Sequence, residues 1–381
     1  MHILIVCHSS ALAGAERAIA EGIVYLHSQN HLVSVVVPEA GPFLTLVAPY
    51  ITAQAILAHN HWTGSASLTN WQKVKFLRGF YNAGRAIARF AKNSGADIIL
   101  TNTSVIPAGA LGARMAGLPH VWYLHEFVRE DHALYWQYGQ GLSYKLIAAL
   151  SQAIVVNSQA LKAKVKQFVP VDKLHVVYNA AEINWAPLVP SELPQTPTLL
   201  MAGAVHAGKN QELAIRALAE PALQALKAKL AIVGAGPDKE IARLKELANK
   251  LHVGERVSFV PFMENRRAVF AQGNVLVVAS RAEAFGRVTV EAQKSGLPVV
   301  ASSAGASPEL IVEGETGLLF TANNAAELAQ KAALLLQDVK MYSHISIQAR
   351  ALANTRFTIT SHGQGLEKAL AHALAQKNGR R

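Results

Sequence analysis

Short apolar, β-branched runs alternate with segments of helical period along almost the whole chain. In the first half HILIVC (2–7), LVSVVV (32–37), DIIL (97–100), HVWYL (120–124), AIVV (153–156) and LHVVY (174–178) predict strands. In the second, TLLMAG (198–203), KLAIVG (229–234), RVSFV (256–260), NVLVVAS (274–280) and PVVAS (298–302) do the same. Runs that are continuously apolar and separated by helices indicate parallel sheets covered on both faces. Between the halves, APLVPSELPQTP (186–197) holds four prolines in 12 residues and reads as a semi-rigid linker. The expected fold class is α/β: two Rossmann-like, doubly wound parallel-sheet domains, residues 1–185 and 198–355, facing across a cleft. A C-terminal helical segment, 356–381, is expected to pack back on the first domain. Ligands of such sheets sit beyond the carboxyl ends of the strands, which places the expected site in the cleft.

One helical segment stands apart. In WQKVKFLRGFYNAGRAIARFAKNSG (71–95), Lys75, Arg78, Arg85, Arg89 and Lys92 share a stripe of 3/4 spacing. Phe76, Phe80, Ala83, Ile87 and Phe90 form an apolar stripe opposite, with Leu77, Tyr81, Ala88 and Ala91 beside it. No acidic residue occurs between Glu39 and Asp97, against six basic ones. Such a basic amphipathic helix fits an anionic membrane surface; it equally fits a solvated helix that happens to be basic. Gly79 and Gly84 weaken it as a helix.

Composition narrows the class. A chain of 381 residues, 51% hydrophobic and 16% charged, has the length for two cores and is not disordered. One cysteine, Cys7, excludes a disulfide within the chain and fits a reducing compartment. The N-terminus has no basic region and only a short apolar run, so no secretory signal is read and a cytoplasmic protein is expected. The net charge of +11 favours anionic partners.

The richest chemistry lies in EAFGRVTVE (283–291), where two glutamates stand eight apart. Spacing alone decides nothing, because Glu212 and Glu220 have the same separation. Context separates the pairs. Glu283 follows an apolar strand, Gly286 permits a tight turn, and RVTVEAQKSG has helical spacing that ends at Gly296. The amides of Phe285, Gly286, Arg287 and Val288 then form a helix N-terminus suited to an anion, with Glu291 one turn in. A second element, MAGAVHAGKNQELAIRAL (201–218), ends a strand in a glycine loop with Lys209 at the following helix. An ammonium there suits a diphosphate, and equally suits a plain surface position. AIVGAGPDKE (231–240) lacks the third glycine of a dinucleotide loop, because that place holds Lys239. No close pair of aspartates occurs, and His59 and His61 have no third ligand nearby, so no metal site is expected.

The run 280–320 closely resembles the nucleotide-sugar site of retaining glycosyltransferases of family 4, the group 1 type with the GT-B fold. The paired glutamates, the EAFG loop, GLPVVAS and PELI…G…GLL occur in register, with GKNQELAIRAL, LAIVGAGP and VSFVPF upstream. AGAE (13–16), DIILTNTS (97–104), PHVWYLHE (119–126), IVVNSQ (154–159) and VVYNAAE (176–182) match more loosely. The resemblance implies metal-independent transfer of a sugar, UDP-linked by preference, with retained configuration, to a saccharide or lipid-linked acceptor of cell-surface polysaccharide or glycolipid synthesis. It casts Glu283 as the contact to donor-sugar hydroxyls and Glu291 as holder of the ribose. Lys209 and the amides of 285–288 meet the diphosphate, and Pro261 and Phe262 lie at the base. Gly14 lets the backbone approach the donor, and His125 contacts donor sugar or acceptor. Ala204 stands where the family often has an arginine, so His206 or Arg287 is expected to compensate for the missing positive contact. Gly14–Ala15 and Asn179–Ala180 replace the usual double glycine and Asn-Gly. An epimerase or phosphorylase on the same fold is the alternative within enzymes. A basic nucleic-acid-binding protein is the alternative outside them, disfavoured by the lack of aromatics interleaved on the basic stripe.

Overall fold

A computed structural model describes residues 1–188 and 192–378; Val189, Pro190 and Ser191 of the expected linker, and residues 379–381, lie outside them. Among the described residues fifteen strands occur in chain order: β1 (His2–Cys7), β2 (Leu32–Val37), β3 (Ala53–Ile56), β4 (Thr63–Gly64), β5 (Ile98–Asn102), β6 (His120–Leu124), β7 (Tyr135–Trp136), β8 (Ala153–Val156), β9 (Leu174–Val176), β10 (Thr198–Ala202), β11 (Lys229–Val233), β12 (Val257–Val260), β13 (Val275–Val278), β14 (Val299–Ser302) and β15 (Leu318–Phe320). The chain divides into two compact units. The first holds residues 1–129, 133–181 and 358–381; the second holds 130–132 and 182–357.

The first unit carries a seven-stranded sheet in the order β3-β2-β1-β5-β6-β8-β9, parallel throughout. β1 explains why its strands read as unbroken apolar runs. Ile3, Ile5 and Cys7 enter one buried cluster with Ile19, Ile23 and Leu26. Leu4 and Val6 enter another with Ile87 and Ala91. A strand covered on both faces leaves no polar alternation. The C-terminal helix Ile359–Asn378 belongs to this unit. Leu366, Ala369, Leu370 and Ala373 join the cluster under β1, and His362 bonds to the carbonyls of Tyr178 and Ala18. Gly363 is required there, since a Cβ would stand 2.0 Å from the Tyr25 ring.

The basic segment forms the helix Asn70–Ser94, opened by a capping box between Thr69 and Gln72 and closed by Gly95 in the left-handed region (φ 73°). It buries Phe80, Ala83, Gly84, Ile87, Ala88 and Ala91. Gly84 does not weaken it as expected: it lies against Leu111 of the helix Ala108–Ala116, where a Cβ would come within 3.0 Å. The five stripe cations are exposed. Leu77 and Tyr81, expected beside the core-facing stripe, are exposed too, at 54% and 53%.

The second unit carries a six-stranded parallel sheet in the order β12-β11-β10-β13-β14-β15. Its core gathers Leu199, Met201, Ile232, Val277 and Leu318 with Leu328 and Leu335 of a covering helix. Residues 182–188 are anchored here rather than spanning freely. Glu182 pairs with Lys294 at 3.2 Å, Trp185 Nε1 donates to Ser295 Oγ, and the Leu188 amide donates to the Ser295 carbonyl.

Candidate functional site

The strand order of the second unit makes β10 and β13 neighbours, so the loops at their carboxyl ends meet. The β13 loop brings Glu283, and the β10 loop brings Lys209. Lys209 Nζ donates to Glu283 Oε1 at 2.6 Å, and Ser280 Oγ donates to the same oxygen at 2.6 Å. Burial pushes the Glu283 carboxyl up, but the charge and hydrogen bond of Lys209, with the Ser280 hydroxyl, outweigh it and hold the group below its ordinary value. Glu283 is therefore a fixed carboxylate, not a proton donor at neutral pH. Its backbone is pinned as well: the Ala306 amide donates to the Glu283 carbonyl at 2.8 Å. Gly305, at φ 61°, leaves no room for a Cβ, which would lie 2.3 Å from that carbonyl oxygen.

Beyond the loop, Gly286 (φ 95°) caps the helix Arg287–Lys294. The first turn of a helix carries amides without intrahelical acceptors and the positive end of its dipole. The Phe285 ring is buried edge-on against Phe357, centroids 5.7 Å apart. Its side chain thus serves the core, while its backbone leads into the helix. Glu291, 6% exposed, is met by the guanidinium of Arg266 and lies 3.7 Å from that of Arg287. Pro261 and the largely exposed Phe262 follow β12 directly.

Two electrostatic expectations change. His206 accepts from the Gly208 amide through Nδ1. Burial, then the charges of Lys209 and His132, push its pKa down to about 4. It is neutral at neutral pH and does not replace the positive charge lost at Ala204; it remains a hydrogen-bonding side chain. The Arg287 guanidinium faces Glu291. The comparison pair also resolves: Glu212 sits in an ion-pair network with Arg216 and Arg243 on a solvated face, and Glu220 precedes a separate short helix.

Spacing did not signal Ser280, Arg266 or Gly305. Ser280 ends the expected strand and reads as its last residue. Arg266 lies in a short helix, Arg266–Phe270, and nothing in its own surroundings points to a glutamate 25 positions on.

In the first unit Gly14 is the first residue of the helix Gly14–Ser28. His125 follows β6; its Nε2 donates to Asn102 Oδ1 at 2.7 Å, and Asn102 Nδ2 reaches the Ala15 carbonyl. The His125 ring lies against Tyr123, centroids 3.9 Å apart. A cluster that sequence reasoning missed lies close by. The buried Glu16 stands 3.0 Å from His8 Nδ1, and burial, reinforced by the charge of Glu126, raises its carboxyl to about 7. Glu126 accepts from the amide and hydroxyl of Ser104. His59 bonds the carbonyls of Leu57 and Cys7 through its two ring nitrogens. Among the described residues no three His, Cys, Asp or Glu side chains gather as metal ligands, and no helix is long and apolar enough to cross a membrane.

The model of the family Glycosyltransferase Family 4 matches residues 12–185, and that of Glycosyl transferases group 1 matches 189–352. N-acetyl-alpha-D-glucosaminyl L-malate synthase of Bacillus anthracis is 32% identical over 130 residues, 34% of each chain. D-inositol 3-phosphate glycosyltransferase of Nocardia farcinica is 31% identical over 200 residues, 49% of this chain and 43% of that protein. The matches thus span less than half of these two relatives. Among solved structures, Anabaena HepE in complex with UDP-glucose superposes with a TM-score of 0.78 at 23% identity, covering 97% and 99% of the two chains. Sucrose-phosphate synthase of Thermosynechococcus elongatus does so at 0.77 and 18%, covering 99% and 100%. Two parallel-sheet units of GT-B type, matched over residues 12–185 and 189–352 by the two family models, place this chain among the group 1 glycosyltransferases.

Proposed function

We propose that the chain is a retaining, metal-independent glycosyltransferase. It takes a sugar from a UDP-linked donor and passes it to a saccharide or lipid-linked acceptor of cell-surface polysaccharide or glycolipid synthesis. The observation that carries this reading is the Glu283 carboxylate, held by Lys209 and Ser280 beside the N-terminus of the helix that bears Glu291. HepE, solved with UDP and with UDP-glucose, supports the nucleotide.

An ammonium has three N–H donors. Lys209 therefore keeps Glu283 in place while a further N–H meets the diphosphate. Arg287 and the first-turn amides add to this, so the charge that develops on the leaving group is met by fixed donors. That arrangement supplies, without a metal ion, the charge stabilisation that a metal ion supplies elsewhere. Glu283 takes the donor-sugar hydroxyls, Glu291 the ribose, and Pro261 with Phe262 the base; His206 adds a neutral hydrogen bond. Gly14 lets the backbone approach the donor, and His125 takes donor sugar or acceptor. The chain works in the cytoplasm, with the helix Asn70–Ser94 resting its cations on the anionic inner face of a membrane.

Thermal-shift screening against UDP-, GDP- and ADP-sugars tests the donor, since ligand binding raises apparent stability. A UDP-sugar is expected to stabilise most, and no response to any UDP-sugar sinks the reading. Glu283→Ala is expected to abolish transfer while the fold persists; wild-type turnover in that variant refutes the assigned role. Conversion of the donor without any acceptor would favour an epimerase instead.

A further inference from the structure

The membrane reading rests on charge, but the helix Asn70–Ser94 exposes more than charge. Trp71 is 72% exposed, Val74 66%, Leu77 54% and Tyr81 53%. Their spacing of three, three and four residues makes them one stripe of an α-helix. This is not the buried stripe, which runs through Phe80, Ala83, Ile87 and Ala91. The helix therefore carries two apolar stripes, one in the core and one in solvent. Aromatics do interleave with the cations, contrary to the sequence expectation. Lys75 Nζ lies 5.7 Å from the Trp71 ring centre and the Arg85 guanidinium 6.0 Å from that of Tyr81.

We infer that this second stripe enters an anionic bilayer, a deepening that rests on the membrane reading above. The chemistry favours a lipid surface over other occupants. Cations alone would lie on the headgroups. A contiguous run of Trp, Val, Leu and Tyr beside them matches the boundary where headgroups give way to acyl chains. Trp and Tyr rings, apolar with one polar tip, favour that depth. Lys75, Arg78, Arg85, Arg89 and Lys92 are all exposed, and no acid occurs from residue 40 to 96 to repel anionic lipid. The capping box at Thr69 holds the first turn in place, so little ordering is left to be done on binding.

The test uses the full chain with vesicles of phosphatidylcholine alone and of phosphatidylcholine with phosphatidylglycerol, some carrying brominated acyl chains. The protein is expected to bind the anionic vesicles, and the bromine to quench tryptophan emission. Trp62, Trp122 and Trp136 are buried, and the half-buried Trp185 belongs to the second unit, bonded to Ser295, so Trp71→Phe should remove most of that quenching. Val74→Ser, Leu77→Ser and Tyr81→Ser lie on the surface and should each weaken partitioning about fivefold, with the UDP-sugar thermal shift unchanged. Binding to anionic vesicles without acyl-chain quenching overturns insertion and leaves the electrostatic attachment standing. Absence of vesicle binding overturns both, and so does RNA binding in its place or a dimer that Leu77→Ser dissolves. A missing UDP-sugar response with intact quenching bears on the donor reading alone.

Discussion

Replacing Lys209 by methionine separates the electrostatics of the site from its packing. The side chain keeps its length but loses the charge 2.6 Å from Glu283 Oε1, in a pair whose members are 27% and 12% exposed. Removing one partner of a fully buried pair costs about 3–5 kcal/mol; the solvent reaching Lys209 lowers that to about 2 kcal/mol here. In a unit of this size the melting temperature should fall by about 4–8 °C. The pH dependence carries the sharper signature. In the wild type the Glu283 pKa is depressed, so its contribution is present above the unfolded value and is lost as pH falls through the folded one. In Lys209→Met the largest remaining influence is burial, which raises the pKa. A group with a raised folded pKa favours the folded state at low pH and loses that advantage as pH rises. The gap between the two proteins should therefore be widest near pH 8 and shrink toward pH 5. Thermal unfolding at pH 8, 6.5 and 5 reads it directly. Adding Glu283→Gln to Lys209→Met should recover part of the loss, because no charge is then left unpaired. Equal melting at pH 8, or a gap that widens on acidification, would refute the account.

The first unit offers a case of opposite sign. The Glu16 carboxyl is raised to about 7, so its favourable contribution is complete below about pH 4.5 and lost as pH rises through 7. Glu16→Gln should remove that loss and stabilise the protein at pH 8 by up to about 3 kcal/mol, read by urea denaturation at pH 5 and pH 8. Gly305→Ala should displace the Glu283 backbone, cutting transfer and costing about 1–3 kcal/mol of stability, checked by turnover and melting. Glu291→Ala leaves the guanidiniums of Arg266 and Arg287 without their carboxylate; a melting temperature several degrees lower is expected, together with a weaker UDP response.

The sequence reading succeeded where one residue type in one local context carries the physics, and missed where distant segments converge. Buried parallel strands announce themselves because both faces are covered. Two edge strands do not: β3 is AQAI, with alternate positions exposed, and β15 is three residues that owe their conformation to pairing with β14. The strand–loop–glycine–helix around Glu283 was visible, as was Lys209 after its own strand. That the two form one ion pair follows only from β10 lying next to β13, which no local pattern encodes. The charge of His206 was misjudged because burial acts on it first and His132 comes from a separate stretch of chain, neither of which a local pattern encodes. The basic helix shows the limit most clearly. Its period marks which positions are apolar, but not which of them find a cover. With 25 residues it runs about 37 Å, whereas the nine-residue helix Ala108–Ala116 that packs on it runs about 13 Å. Its contacts fall at Ile87 and Gly84. Trp71, Val74, Leu77 and Tyr81 lie toward the other end, beyond the reach of that partner. Their exposure follows from the helix face they share, turned away from the one that Phe80 and Ile87 bury, and under the proposed membrane reading it gives the cations beside them a second, apolar means of attachment.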